Sequence, residues 1–142
     1  LMTHRVENLV RTGFLTVPVD ITTGELTSRM GQERQRIAIF VDDEGVFRGS
    51  ANLSLLITHS IEQGRDSQAI DGVLGAEYAI TAMTNIVTAV QSMAEQKQEF
   101  VPVIDKSDPK HPELLGIVTK SDLLAEHYDV IKRARAEEFG IT

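Results

Sequence analysis

The 142-residue chain contains no cysteine and no tryptophan, only four prolines, and aromatic residues at 5% of the total. Without cysteine there is no disulfide framework, no thiol nucleophile and no thiolate-ligated zinc or iron–sulfur centre. Basic residues are also in short supply, 14 Lys plus Arg against 21 Asp plus Glu, for a formal charge of -7. Nucleic-acid phosphate and anionic lipid both call for a strong basic face, so neither is an expected partner. No apolar run approaches the roughly 18 residues of a membrane helix. The opening segment LMTHRVENLVRTG lacks the apolar centre of a signal peptide. What is present is 42% hydrophobic residues in one domain's worth of chain. At this size roughly 68% of the unfolded surface can be buried, enough for a core without disulfide or metal staples. A reducing, cytoplasmic setting is the default expectation. Leu1 stands before Met2, and the expectation is a processed product or a domain of a longer chain.

The chain repeats itself. LTSRMGQERQRIAIFVDD from Leu26 lies over AVQSMAEQKQEFVPVIDK from Ala89 at an offset of 63 residues, which aligns Met30 with Met93, Gln35 with Gln98 and Asp42 with Asp105. FRGSANLSLLI then lies over LLGIVTKSDLL at an offset of 67, aligning Gly49 with Gly116. The four extra residues fall in the longer turn KSDPKHPE of the second copy. Within each copy, apolar spacing predicts a helix over 23–33 and over 85–97, the latter capped by Asn85 or Thr84. Short apolar runs predict strands over 37–41 and 100–104, buried on both faces. Second strands follow over 46–51 and 114–118, each feeding directly into a helix. Pro102 belongs at an edge or beside a cleft, because it has no N–H for a central ladder. GRDSQAIDGVLGA, residues 64–76, reads as the connection between copies. The last helix is expected from about Lys120 to Phe139, with Leu124, Tyr128 and Ile131 as an apolar stripe beneath a solvated charged face.

The sharpest local chemistry is GIVTKSDLL, residues 116–124. With Thr119 as N-cap, Asp122 falls at the third helical position, the spacing of a capping box in which the carboxylate reaches back to the Thr119 amide. The same two groups facing a cleft could serve a ligand, since a carboxylate accepts two hydrogen bonds from a vicinal diol. Both readings stand at this point. His4, His59, His111 and His127 are scattered without ligand spacing, and no nucleophile elbow or triphosphate loop occurs. Asp42, Asp43 and Glu44 precede Gly45 as turn chemistry. No catalytic set emerges.

FVPVID followed by LLGIVTKSDLL closely resembles the cystathionine-β-synthase-type (CBS) domain, whose form is an h-P-V-h-D strand, a turn, and a G-h-h-T-x-x-D-h-h strand-to-helix step. RIAIFVDDEG and FRGSANLSLL look like a degenerate first copy. The resemblance runs from about residue 15 to 128 and implies a tandem CBS pair, or Bateman module. The implied fold is α/β (α+β), two β-α-β-β-α motifs about a pseudo-two-fold axis: residues 1–64 a first motif with its lead-in, 65–76 a linker, 77–142 a second motif with an extended final helix. The implied role is regulation rather than catalysis, through an adenosine-containing ligand (AMP, ADP, ATP or S-adenosylmethionine), with no metal or other cofactor.

Carried over by position, the resemblance has Asp122 accepting ribose hydroxyls and Thr119 meeting the ribose or phosphate, with Ile117 and Ser121 lining the same cleft. Ile37, Ala38 and the segment from Thr16 to Val19 would wall the adenine. In the first copy Asn52 replaces the Thr and Leu55 the Asp, which leaves that cleft without a ribose acceptor. Gln98 and Glu99 stand where nucleotide-binding members often place basic residues, so Arg36 and Lys120 are the nearest cations for a phosphate. The resemblance further implies a homodimer through helices and a covalently linked parent protein. HYDVIKRARAEEFG is similar to the tail that closes the cytoplasmic CBS pair of bacterial CLC-type chloride channels and antiporters, which suggests a membrane-transporter parent and a place on the cytoplasmic side of the inner membrane. Two alternatives remain in view: a structural dimerisation module without ligand, and the regulatory domain of another transporter or enzyme.

Overall fold

A computed structural model describes residues 5–128 together with 132, 133, 135 and 136. The chain divides into two compact units. The first comprises Gly13–Tyr78 with Pro109–Glu113; the second comprises the lead-in to Thr12, Ala79–Asp108 and the chain from Leu114 onward. The expected boundaries differ in three respects: the lead-in groups with the second copy, residues 65–76 belong to the first unit rather than standing apart as a linker, and residues 77–78 with Pro109–Glu113, expected in the second motif, group with the first unit.

In the first unit, β1 (Leu15–Pro18), α1 (Thr23–Glu33), β2 (Ile37–Val41), β3 (Phe47–Asn52) and α2 (Leu53–Gln63) follow in order, and Leu74–Gly75 adds a short β4. The sheet order is β1-β2-β3-β4. β1 runs parallel to β2, with Leu15 opposite Ala38, as a strand–helix–strand crossover requires. β3 returns antiparallel, with Ala51 opposite Ala38. Ala38, Ile39 and Phe40 in the middle of β2 are all fully buried, so the unbroken apolar run does mark a strand covered on both faces. Leu26 and Met30 of α1 and Leu56 of α2 close over Val17, Phe40 and Ala51 to form the core.

Residues 64–72 fold back on the start of α1. The first-turn amides of Thr23 and Gly24, which have no partner inside the helix, donate to the Ser67 and Arg65 carbonyls at 2.8 Å each. Ala69 N–H reaches the Ile21 carbonyl at 3.1 Å, and the Ala69 side chain is buried. A segment that satisfies helix-end donors in this way is part of the unit's framework, which is the physical reason it does not behave as a linker.

In the second unit, α3 (Ile86–Glu95), β5 (Phe100–Asp105), β6 (Glu113–Thr119) and α4 (Lys120–Glu126) repeat the pattern. The leading strand is reduced to a single parallel bridge between Ile80 and Val103. Ile80 donates to the Pro102 carbonyl at 2.9 Å and accepts from Ile104 at 2.8 Å. A strand residue points its N–H and C=O to the same side, so the N–H that Pro102 lacks faces this lightly paired edge. The lead-in is fastened here too: Val6 is buried, and Arg11 and Ile117 exchange backbone hydrogen bonds at 2.8 and 3.0 Å.

The final helix is interrupted rather than continuous: α4 stops at Glu126 and His127 leaves helical geometry at φ -140, ψ 47, after which Tyr128, Lys132, Arg133, Arg135 and Ala136 are again helical. Leu124 and Tyr128 lie on the surface rather than beneath it, 40% and 57% exposed, and Ile131 lies outside the described residues. Leu123 is the fully buried residue of α4.

Candidate functional site

The repeat places the same hardware at the same positions in both copies. Each first helix is N-capped by a side chain: the Thr22 hydroxyl accepts from Glu25 N–H at 3.2 Å, and the Asn85 carboxamide oxygen from Thr88 N–H at 2.8 Å. Each ends on a non-glycine residue in left-handed geometry, Arg34 and Lys97, both at φ 55. The next amide then closes the helix, Gln35 to the Met30 carbonyl at 2.9 Å and Gln98 to the Met93 carbonyl at 2.8 Å. Each second strand contains one glycine that backbone crosses closely. A Cβ on Gly49 would meet the Leu74 carbonyl, and one on Gly116 would meet the Arg11 carbonyl.

At the β6–α4 junction Thr119 is extended, and its hydroxyl accepts from Asp122 N–H at 3.2 Å. Half of the expected capping box therefore forms. The Asp122 carboxylate turns instead to Arg11, whose Nε lies 3.2 Å from Oδ2. Asp122 is about one-third exposed and Arg11 largely so, which leaves the carboxylate within reach of a ligand. Ile117 is buried just before the junction, and Ser121 is exposed beside it. Lys120 ties the start of α4 to the start of β5, its N–H donating to the Glu99 carbonyl at 2.8 Å; its ammonium lies 3.6 Å from the Glu99 carboxylate. So Thr119, Ser121, Asp122 and Ile117 come together in the second unit.

The corresponding junction in the first unit keeps the cap and lacks the acid. The Asn52 oxygen accepts from Leu55 N–H at 2.7 Å, and Leu55 packs against the apolar core. Ile37 is half-buried and Ala38 fully buried on β2 of this unit. On β1, Thr16 and Pro18 are exposed while Val17 is buried; Val19 packs against the core. Arg36 is exposed.

The two aspartates aligned by the repeat both close turns. Asp42 accepts from Val46 N–H at 3.0 Å and Glu44 N–H at 2.9 Å, with Arg48 3.2 Å away. The Val46 amide above all holds its carboxyl below the usual range. Asp105 is held low by Ser107, whose hydroxyl and amide donate at 2.6 and 2.8 Å. Burial pushes the Tyr78 phenol up, so it stays neutral. Among the described residues, no cluster of three or more His, Asp or Glu side chains could hold a metal ion. Among them also, no helix is long and apolar enough to cross a membrane.

Arg11 is the site residue that sequence reasoning does not find. It stands alone in VRTG with no spacing to mark it, 111 positions from Asp122 (122 − 11).

The family model described as the CBS domain matches residues 77–129. The chain is 28% identical over 128 residues to the choline transport ATP-binding protein OpuBA of Bacillus subtilis (strain 168), a match covering 89% of this chain and 31% of that protein. The chain spans about a third of the length of the curated relatives it matches. Among solved structures, it is similar to a CBS domain pair/ACT domain protein from Thermotoga maritima, with TM-score 0.67, 26% identity, and 89% and 98% of the two chains covered. It also shares the fold of a CBS domain protein from Pyrobaculum aerophilum complexed with AMP, with TM-score 0.73, 16% identity, and 93% and 99% covered.

Proposed function

This chain is a CBS domain pair, and on that premise we propose that it is a non-catalytic regulatory module that senses an adenosine-containing ligand through its second copy. The observation that carries the reading is the contrast at the two strand-to-helix junctions. Thr119 and Asp122 offer a capped helix start with an accessible carboxylate, whereas Asn52 and Leu55 offer the cap alone. Only the former can accept two hydrogen bonds from a ribose diol. The AMP bound to the Pyrobaculum protein supports the ligand class. Thr119 and Ser121 would flank the ribose and Ile117 would line the cleft; Ile37 and Ala38, expected as an adenine wall, belong to the first unit.

Arg11 holds the carboxylate that the diol would need, so ligand must displace it. An exposed ion pair is worth at most about 1 kcal/mol, which is about fivefold in affinity.

The parent we propose is a longer transport protein with an ATP-binding component, given the choline transport relatives of which this chain spans a third. A CLC-type chloride-transporter parent, expected from the tail, is the alternative reading. Either parent would place the module on the cytoplasmic side of a membrane. We further propose assembly with a second copy. Ile57 and Ile61 on α2, and Leu124 on α4 with Tyr128 just beyond its end, are exposed pairs four residues apart. They sit at the same repeat positions (57 + 67 = 124; 61 + 67 = 128), as a symmetric helical interface would use them.

The decisive experiment is calorimetric titration and thermal shift with adenosine, AMP, ADP, ATP and S-adenosylmethionine. Ligand at about 100 times its dissociation constant should add about 2.7 kcal/mol of stability. Asp122→Asn should abolish that gain while the fold persists, and Arg11→Gln should tighten adenosine by up to about fivefold. No shift with any of the five ligands overturns the sensing role. For assembly, sedimentation should show a dimer that Ile61→Glu or Tyr128→Glu reduces to monomer; a monomeric parent at high concentration rejects it.

A further inference from the structure

We propose, resting on the reading of Asp122 as a ribose acceptor, that residues 5–12 form a strap latched by Arg11 on Asp122, and that ligand opens the latch and loosens the strap. Occupancy of the pocket would then be expressed as the order of a segment outside it.

The strap is fastened at both ends within the second unit. Near its start, Val6 is fully buried and its N–H donates to the Thr84 carbonyl at 3.1 Å. Near its end, Arg11 and Ile117 exchange two backbone hydrogen bonds as an isolated bridge. Arg11, Thr12 and Gly13 are all exposed, and exposed backbone with few buried contacts opens at low cost.

The repeat supplies an internal control. At the offset of 63 the strap corresponds to residues 68–75 (5 + 63 = 68; 12 + 63 = 75), and the contacts correspond as well. Buried Val6 on Thr84 matches buried Ala69 on Ile21, and the Arg5–Asn85 bridge matches the Gln68–Thr22 bridge. Arg11 crosses Gly116 as Leu74 crosses Gly49. Each copy is thus preceded by a strap of one form.

The two straps differ in how they are held. In the first unit the strap pairs with β3 at two successive positions, Gly75 on Gly49 and Leu74 on Ser50. There the equivalents of Arg11 and Asp122 are both apolar, Leu74 and Leu55 (11 + 63 = 74; 55 + 67 = 122). In the second unit the pairing shrinks to one bridge, and the apolar residues become a guanidinium and a carboxylate with Nε 3.2 Å from Oδ2. Two leucines offer a ribose diol nothing to compete for. An exposed ion pair is weak enough to be exchanged for one. The second strap therefore depends on a contact that a ligand can replace, and the first does not.

The test is residue-resolved amide hydrogen exchange on the whole chain, run beside calorimetric titration with adenosine. Without ligand, Arg11→Gln should lower protection of the amides at positions 11 and 117 by up to about fivefold, the ceiling for an exposed ion pair. Protection at the β3–β4 pair should not change. Saturating adenosine should cause the same fall in the parent chain and no further fall in Arg11→Gln, and by linkage that factor should match the variant's gain in adenosine affinity. Adenosine that binds while the strap amides stay protected would overturn the strap and keep the sensing reading. Absence of binding heat would overturn that reading and the trigger with it. Unchanged protection in ligand-free Arg11→Gln, or an equal adenosine response in variant and parent, would overturn the latch.

Discussion

Asn52 and Thr119 start equivalent helices, yet three residues later one copy presents Leu55 to its own core and the other presents Asp122 to Arg11 and solvent. The cap is common to both because a helix start always leaves amides to satisfy. The acid is not, because nothing in helix formation demands it at that position. Where two copies of one unit share a feature, folding is a sufficient reason for it; where they diverge at equal geometry, a different use is the better explanation. Ser50 and Ile117 sharpen the same point, since they occupy equivalent positions (50 + 67 = 117) with opposite chemistry.

The comparison can be broken most forcefully in the cores. Met30 and Met93 are both fully buried at aligned positions, so Met30→Ala and Met93→Ala should each cost about 2–5 kcal/mol in denaturant unfolding. If the two costs differ by more than that range, the copies are not equivalent as folding units. A smaller effect of opposite sign is expected at Ser50, whose buried hydroxyl has no hydrogen-bond partner among the described residues. Replacing it with alanine removes an unmet polar group and should raise stability by about 1 kcal/mol. An unchanged or lower midpoint would show that the hydroxyl is satisfied in solution.

The smallest effect lies in pH dependence. The carboxyls of Asp42 and Asp105 are both held low in the folded chain, so the unfolded chain binds protons more readily. Their contribution is complete above the ordinary carboxyl value of about 3.9. It is lost as pH falls below that value through the lowered folded-state values. Asp42→Asn and Asp105→Asn should each flatten the acid limb of a stability profile below about pH 4 and leave the neutral plateau little changed in slope. A limb of undiminished steepness in both variants would assign acid sensitivity to other groups.

Much of this architecture could be read from the chain before any coordinates. The expected helix over 23–33 is α1 to the residue, and the strand over 37–41 is β2 to the residue, because apolar period and cap residues are local signals. Pro102 was legible as an edge residue for the same reason. The break in the final helix was not: its charged stretch has helical composition, and the described residues beyond it are helical, but the chain leaves helical geometry at His127. Residues 64–76 read as a linker because glycine and aspartate dominate them, and only the amides at the start of α1 reveal why they are held.

By itself the sequence determined the repeat, its register, the positions of the caps and turns, and the asymmetry between Leu55 and Asp122. These depend on interactions across three or four residues, or on identity at aligned positions, and both are visible in one dimension. The tertiary structure alone decided that Arg11 meets Asp122 and that Ser50 is left without a partner among the described residues. Each of those depends on segments far apart in the chain being brought within a few ångströms, and no spacing rule records that.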